Sequence, residues 1–311
     1  MEKEKNIEEV IILGSGPAGL AAGLYAARAG LDPLILTGLE IGGQAALTDR
    51  VENYPGFPEG VGGAELSELF KQNAERFGAR LEYDSATEVD FSGQPYQIKT
   101  YSKEFLTKSV IITTGASPNK LGIPGEDEFR GKGVSYCATC DGWFFKDKKV
   151  AVVGGGDSAL EEAIFLTRYA NSVNIIHRRD ALRAGAILQE RARNNVKINI
   201  IWKSVITEIL GGEGVEKAVL KNVETSDKSH LEVDGVFISI GHSPNNQLFM
   251  GQLELDQKGY VITDKRMRTD KPGIFAAGEI NDPIYRQVIT SAGMGAAAAI
   301  EATRYLENLL D

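Results

Sequence analysis

Two stretches of this chain, 140 residues apart, read alike, and together they constrain the fold more than any other feature. Glu9-Val10-Ile11-Ile12-Leu13 reads as a buried strand that runs into Gly14-Ser15-Gly16-Pro17-Ala18-Gly19 and then into a helical stretch, 20–29. Lys149-Val150-Ala151-Val152-Val153 runs in the same way into Gly154-Gly155-Gly156-Asp157-Ser158-Ala159 and a helical stretch, 160–169. In such a turn the first glycine permits the tight bend, the second lets backbone approach a pyrophosphate, and the third lets helix and strand pack closely. The helix start then offers amide donors and a positive dipole end. One glycine fingerprint alone is a weak sign; strand, turn and helix in order, twice, predict two dinucleotide sites. A second echo strengthens this. Val110-Ile111-Ile112-Thr113-Thr114 ends in Gly115-Ala116-Ser117-Pro118-Asn119, and Val236-Phe237-Ile238-Ser239-Ile240 ends in Gly241-His242-Ser243-Pro244-Asn245. The 311 residues are enough for about two domains. The expected class is α/β, with two Rossmann-like, doubly wound, three-layer nucleotide-binding domains.

Charge separates the two sites. The net charge of -9 argues against nucleic acid or an anionic membrane surface as the main partner. Between Arg168 and Lys203, however, eight Lys or Arg face only Asp180 and Glu190, a local +6 that leaves -15 for the rest. The strand 173–176 inside this island ends in His177-Arg178-Arg179, with Arg183 a helical turn further on. An NAD site usually places an acid there for the ribose 2′-hydroxyl, whereas arginines suit a 2′-phosphate through forked, charge-assisted hydrogen bonds. The island therefore reads as an NADPH site, its plain alternative being a solvated positive face. In the first domain the equivalent strand ends in Thr37-Gly38, and the nearest carboxylate is Glu40. Loops rich in backbone and amide donors follow, Gly42-Gly43-Gln44 and Glu52-Asn53-Tyr54-Pro55-Gly56. Gly273-Ile274-Phe275-Ala276-Ala277-Gly278-Glu279 reads as a short buried strand with a carboxylate at its end, suited to a polyol. Two sites, one of them selective for a 2′-phosphate, suggest a flavin held in the first domain and NADPH exchanging in the second.

The only cysteines stand in Cys137-Ala138-Thr139-Cys140-Asp141-Gly142. Zinc wants four ligands, and His177, His230 and His242 show no ligand spacing around the pair. Haem attachment wants a histidine where Asp141 stands. A reversible dithiol/disulfide remains, with a structural disulfide as the alternative. Asp141 is placed to give or take the proton that thiol exchange requires, or to serve as a surface acid or helix cap. No run approaches the roughly 18 apolar residues of a membrane span. Glu2, Glu4, Glu8 and Glu9 at the N-terminus do not suit a secretory signal, so the expected compartment is the cytoplasm.

With two nucleotide turns and a C-x-x-C pair, the sequence resembles the bacterial low-molecular-weight thioredoxin reductases. The segments that carry the resemblance are the two glycine turns, 37–44, Val51-Glu52-Asn53-Tyr54-Pro55-Gly56, Cys137 to Gly142, His177-Arg178-Arg179-Asp180, and Arg286-Gln287 with Ile289-Thr290-Ser291-Ala292-Gly293. They run in the family's order over nearly the whole chain; CATCDG and HRRD are the specific ones. The resemblance implies an FAD domain of residues 1–117 and 246–311, with an NADPH domain, 118–245, inserted at the two Ser-Pro crossings and carrying the C-x-x-C. It assigns to FAD Gly14, Ser15, Gly16, Pro17, Ala18, Gly19, Thr37, Gly38, Glu40, Gly42, Gly43, Gln44, Asn53, Thr114, Gly115, Gly278, Glu279, Arg286, Gln287 and Val288. To NADPH it assigns Gly154, Gly155, Gly156, Asp157, Ser158, Ala159, Glu162, His177, Arg178, Arg179, Arg183, Ile240 and Gly241. Glu279 departs from the family, which usually has Asp there, and its longer side chain is expected still to reach the flavin ribityl chain.

The resemblance further implies that Cys140 faces the flavin, that Asp141 supplies a proton, and that the Cys137 thiolate attacks the disulfide of thioredoxin. A homodimer is implied too, as is burial of the small-residue run 292–300 beside the flavin; helix–helix packing is the alternative for that run. Other acceptors, such as a peroxiredoxin or a glutaredoxin-like protein, would use the same chemistry, and an NADPH-sensing redox-switched flavoprotein is the non-enzyme reading. Because the pair and the NADPH site would share one domain and one flavin, that domain is expected to rotate about the Ser-Pro crossings during turnover.

Overall fold

A computed structural model describes residues 7–38, 40–48 and 50–309. Glu2 and Glu4 lie outside them. The chain divides into two compact units, one made of the chain up to Ser117 and from Ser243 onward, the other of Pro118–His242. The return crossing falls between 242 and 243 instead of between 245 and 246. The crossing segments Ala116–Pro118 and His242–Pro244 pair as a two-stranded sheet. Extended backbone is what the proline in each favours for the residue before it.

In the discontinuous unit the strand Ile7–Leu13 lies within a seven-stranded sheet. It runs parallel to Leu34–Leu36 on one side and to Glu104–Ile112 on the other, with Leu13 level with both Leu36 and Ile112. Arg80–Glu82 and Ile274–Ala276 join in parallel, while Tyr96–Thr100 and Ala86–Asp90 add antiparallel strands. Val10, Ile11, Ile12 and Ile111 are fully buried. Strands this apolar need cover on both faces, which is why the first strand reads as a continuous run and not as an alternation. The helix expected from residue 20 begins earlier, as Pro17–Arg28. Proline suits that first turn because its missing N–H would have no helical partner there.

The continuous unit repeats the plan. Its five parallel strands run in the order Ile198–Ile201, Ser172–Ile176, Lys149–Val153, Gly235–Ile238, Val134–Ser135. A separate antiparallel sheet holds Ser204–Gly211, Val215–Asn222 and Lys228–Glu232. The helix Asp157–Leu166 buries Ala159, Leu160, Ala163 and Leu166 in the core. Register matters for function: Ser135 is level with Phe237, Phe237 with Val152, and Val152 with Ile175. The segments that follow, reaching Cys137, Gly154 and His177, therefore all leave the carboxyl edge of one sheet, where open α/β sheets bind their ligands.

The small-residue run belongs to the long helix Val288–Glu307. Ala298, Ala299 and Ala302 share a core with Ala18, Ala22 and Ala26 of the first helix. A Cβ on Gly295 would come within 2.0 Å of the Ala18 carbonyl oxygen. Close helix–helix packing is what the contacts of Gly295, Ala298, Ala299 and Ala302 provide.

Candidate active site

The first glycine turn is built around one open position. Gly14 has φ +111°, and a Cβ there would lie 2.6 Å from the Thr113 carbonyl oxygen; a Cβ on Gly19 would lie 1.9 Å from the Gly14 oxygen. A Cβ on Gly16, by contrast, would meet nothing within 4 Å, and no side chain caps the helix that starts there. The space at Gly16 is thus open and no side chain occupies the helix start, which leaves room there for an incoming pyrophosphate. Ser15 Oγ donates to the Thr37 carbonyl oxygen at 2.8 Å, and the Gly42 N–H donates to the Ser15 oxygen at 3.0 Å. These bonds tie Thr37-Gly38 and the Gly42-Gly43-Gln44 loop to the turn. Thr37 Oγ1 is committed to the Gly38 and Glu82 oxygens, so this buried hydroxyl is no substitute for the missing acid. Glu40 contributes its main-chain oxygen to Ser15, with its carboxylate at the exposed surface.

Distant segments of the same unit converge. Asn53 Nδ2 donates to Gln287 Oε1 at 3.0 Å, and Gln287 caps the helix that begins at Val288. Thr114 Oγ1 donates to the Asn245 carbonyl oxygen at 2.9 Å while Asn245 Nδ2 donates back to the Thr114 oxygen at 2.8 Å, which anchors Thr114-Gly115 beside the return crossing. Gly278, at φ +81°, turns the chain after Ile274–Ala276 and leads into Glu279. Burial pushes the Glu279 carboxyl up to about 7, against the opposite pull of Arg286. A carboxyl so desolvated is well suited to accept hydroxyl donors from a polyol.

The second turn has the same plan with one exchange. Gly154 has φ +156°, with a Cβ position 2.5 Å from the Ser239 oxygen, and Gly156 again faces open space with no side-chain cap. Ala159, fully buried, stands where the first turn needs Gly19. The arginine loop is fastened to this turn. The Gly155 oxygen accepts the N–H groups of Arg183 at 2.7 Å and Ala184 at 3.2 Å, and Asp157 Oδ1 accepts the Gly185 N–H at 2.8 Å. His177 is 5% exposed, and its ring nitrogens lie 3.0 Å from the Gly154 and Ala181 carbonyl oxygens. His177 and Asp157, expected as coenzyme ligands, are thus engaged in bracing the loop to the turn. Arg178, Arg179 and Arg183 are exposed. Glu162 accepts a hydrogen bond from Ser239, below Ile240 and Gly241 in the chain, and Gly241 sits at φ +99°.

Cys137 and Cys140 are joined as a disulfide, their Cα atoms 5.3 Å apart, around the one-turn helix Ala138–Asp141. Cys137 Sγ accepts the Cys140 N–H at 3.2 Å and lies 3.3 Å from Thr139 Oγ1. Donors of this kind favour a thiolate on that sulfur once the bond is reduced. Asp141 Oδ2 accepts the Ser135 hydroxyl at 2.6 Å. Neither Thr139 nor Ser135 stood out in the sequence, since hydroxyls carry no spacing signal of their own. Trp143 and Phe144, just past the pair, are 55% and 39% exposed. Among the described residues no group of three or more His, Cys, Asp or Glu could hold a metal ion, and no helix is long and apolar enough to cross a membrane.

Comparison with known proteins agrees with this geometry. The profile of the pyridine nucleotide-disulphide oxidoreductase family matches residues 8–295. A thioredoxin reductase of Streptomyces coelicolor is 49% identical over 98% of this chain and 96% of its own length. One from Rickettsia conorii is 48% identical over 96% of this chain and 98% of its own. The crystal structure of thioredoxin reductase from Streptococcus pyogenes superposes with a TM-score of 0.93 at 42% identity, covering 97% of this chain and 99% of that one. Two dinucleotide turns of one plan, a bonded cysteine pair and near-complete coverage by such relatives lead to one conclusion: the chain belongs to the pyridine nucleotide-disulphide oxidoreductases and, among them, to the thioredoxin reductases.

Proposed function

We propose that this enzyme passes electrons from NADPH, through an FAD held by the discontinuous unit, to the Cys137–Cys140 disulfide and on to the disulfide of thioredoxin. The observation that carries this reading is that a second dinucleotide turn with its arginine loop and a bonded C-x-x-C leave the same edge of one sheet. When bound, FAD supplies the two-electron relay between a hydride donor and a disulfide. The amides around Gly16 hold its pyrophosphate and Glu279 its polyol chain, with Asn53 and Gln287 linked beside them. Gly156 receives the NADPH pyrophosphate, and Arg178, Arg179 and Arg183 hold the 2′-phosphate. By the family resemblance Cys140 would be the sulfur that exchanges electrons with the flavin, and Asp141 would move its proton. Cys137, with the Cys140 N–H and Thr139 hydroxyl beside its sulfur, is the thiolate that attacks thioredoxin. The exposed Trp143 and Phe144 next to it offer that partner an apolar contact.

The names of the relatives support thioredoxin as the acceptor. Resemblance to them supports a homodimer, and an exchangeable pair fed by NADPH suits a cytoplasmic enzyme. The test is a coupled assay of the yellow protein with thioredoxin, comparing NADPH with NADH. Rapid NADPH-dependent reduction that Cys140→Ser abolishes is expected; flavin reduction without transfer to thioredoxin would overturn thioredoxin as the acceptor and leave another thiol–disulfide partner or the sensing role.

A further inference from the structure

The acid beside the cysteines has a partner that links it to the first of them. Ser135 ends the edge strand Val134–Ser135 and is 5% exposed. A serine hydroxyl carries one proton and two lone pairs. Ser135 Oγ lies 2.6 Å from Asp141 Oδ2 and 3.3 Å from the Cys137 carbonyl oxygen, and it accepts the Cys137 N–H at 3.1 Å. The single proton goes to the carboxylate, whose short distance marks a charge-assisted bond. A continuous chain therefore runs from Asp141 through the Ser135 hydroxyl to the main chain of Cys137. The register with Phe237 fixes Ser135 at the sheet's edge, so the carboxylate is tied to a strand of the sheet.

We propose that Ser135 is a positioning residue for the dithiol chemistry: its hydroxyl keeps the Asp141 carboxylate ionised and turned toward the cysteine pair. This rests on the reading of Asp141 as the proton carrier. Two electrons delivered to the disulfide break the S–S bond and leave two thiolates; one proton, taken from water by Asp141, converts the Cys140 sulfur to a thiol. In the second half-reaction the Cys137 thiolate attacks the partner's disulfide and releases one partner thiolate. Asp141 then takes the Cys140 proton, and the Cys140 thiolate displaces the second partner thiolate as the Cys137–Cys140 bond re-forms. Asp141 passes that proton to one departing partner thiolate and water protonates the other, so the partner leaves as a dithiol, the carboxylate is restored and electrons and protons balance. Asp141 must be a carboxylate at the start of that last step. A hydrogen bond donated to a carboxylate favours its ionised form, so loss of the Ser135 hydroxyl makes the acid hold its proton to higher pH.

The test follows the reduction of thioredoxin by the pre-reduced holoenzyme across pH, in wild type, Ser135→Ala, Ser135→Thr, Ser135→Val and Asp141→Asn. Asp141→Asn identifies the acid limb that belongs to this residue by removing it. Ser135→Ala is expected to move that limb to higher pH and to slow the reaction about tenfold on its acid side, with flavin content unchanged. Ser135→Thr keeps a hydroxyl and restores both limb and rate. Ser135→Val, matched to threonine in shape, behaves like alanine and serves if the alanine variant does not fold. A limb left in its wild-type place without the hydroxyl, or displaced equally by threonine, overturns the proposal. A limb that survives Asp141→Asn overturns instead the assignment of Asp141 on which it rests.

Discussion

Arg178, Arg179 and Arg183 are the residues to which the proposed function assigns coenzyme choice. A charge-assisted hydrogen bond contributes about 1.5–3 kcal/mol, so replacing any one with alanine is expected to lower kcat/KM for NADPH roughly tenfold to a hundredfold. NADH use should hardly change, and equal losses with both coenzymes would show that the arginines do not read the 2′-phosphate. Glu279 makes a different prediction. Its carboxyl rises from 4.5 to about 7 by burial. In the flavin-free protein the native state keeps, across that window, a proton that the unfolded chain has released, so stability falls as pH rises from about 5 to 7. Glu279→Gln should remove up to about 3 kcal/mol of this fall, read by urea unfolding at several pH values. A slope unchanged by the substitution would mean that Glu279 is not the group responsible. The cysteine pair, a residue type with its own chemistry, was legible in the sequence. Ser135, Thr139 and the bracing roles of His177 and Asp157 were not, because each depends on which atom, of side chain or main chain, the fold brings within hydrogen-bonding reach of a common side chain.

At the scale of elements, both strand–turn–helix units stand where the pattern of apolar run, glycines and helix formers puts them, with ends moved by a few residues. The helix starts moved because Pro17 and Asp157 suit a first turn, although neither belongs to an apolar pattern. Small residues are harder to read than glycine turns: alanines and glycines are compatible with a cofactor face or a neighbouring helix, and only the packing partner decides. Gly295 shows that partner, since any side chain there is driven into the Ala18 carbonyl. Gly295→Ala should therefore lower stability by about 1–3 kcal/mol and push the first helix against its glycine turn, weakening flavin retention. A thermal melt together with the flavin-to-protein absorbance ratio checks this, and an unaffected melt would contradict the close packing. The antiparallel sheet of Ser204–Gly211, Val215–Asn222 and Lys228–Glu232 carries no functional motif, so nothing in its sequence marks it.

At the scale of the whole molecule, the carboxyl edge of one sheet presents both the NADPH turn and the cysteine pair, separated by two strand positions, roughly 10 Å. Both serve one flavin in the proposed path, so they are expected to take turns as the inserted unit rotates about 116–118 and 242–244. A cross-link between the two units should stop multiple turnover while sparing one half-reaction, and steady-state turnover unchanged by the cross-link would exclude the rotation. The central claim is the electron path itself, and stoichiometry tests it most directly. Holoenzyme mixed anaerobically with limiting NADPH and excess oxidised thioredoxin should yield one thioredoxin dithiol per NADPH consumed, while Cys140→Ser keeps a reducible flavin and yields none. NADPH consumed without dithiol formed by the wild type, or dithiol formed at an undiminished rate by Cys140→Ser, would contradict the account.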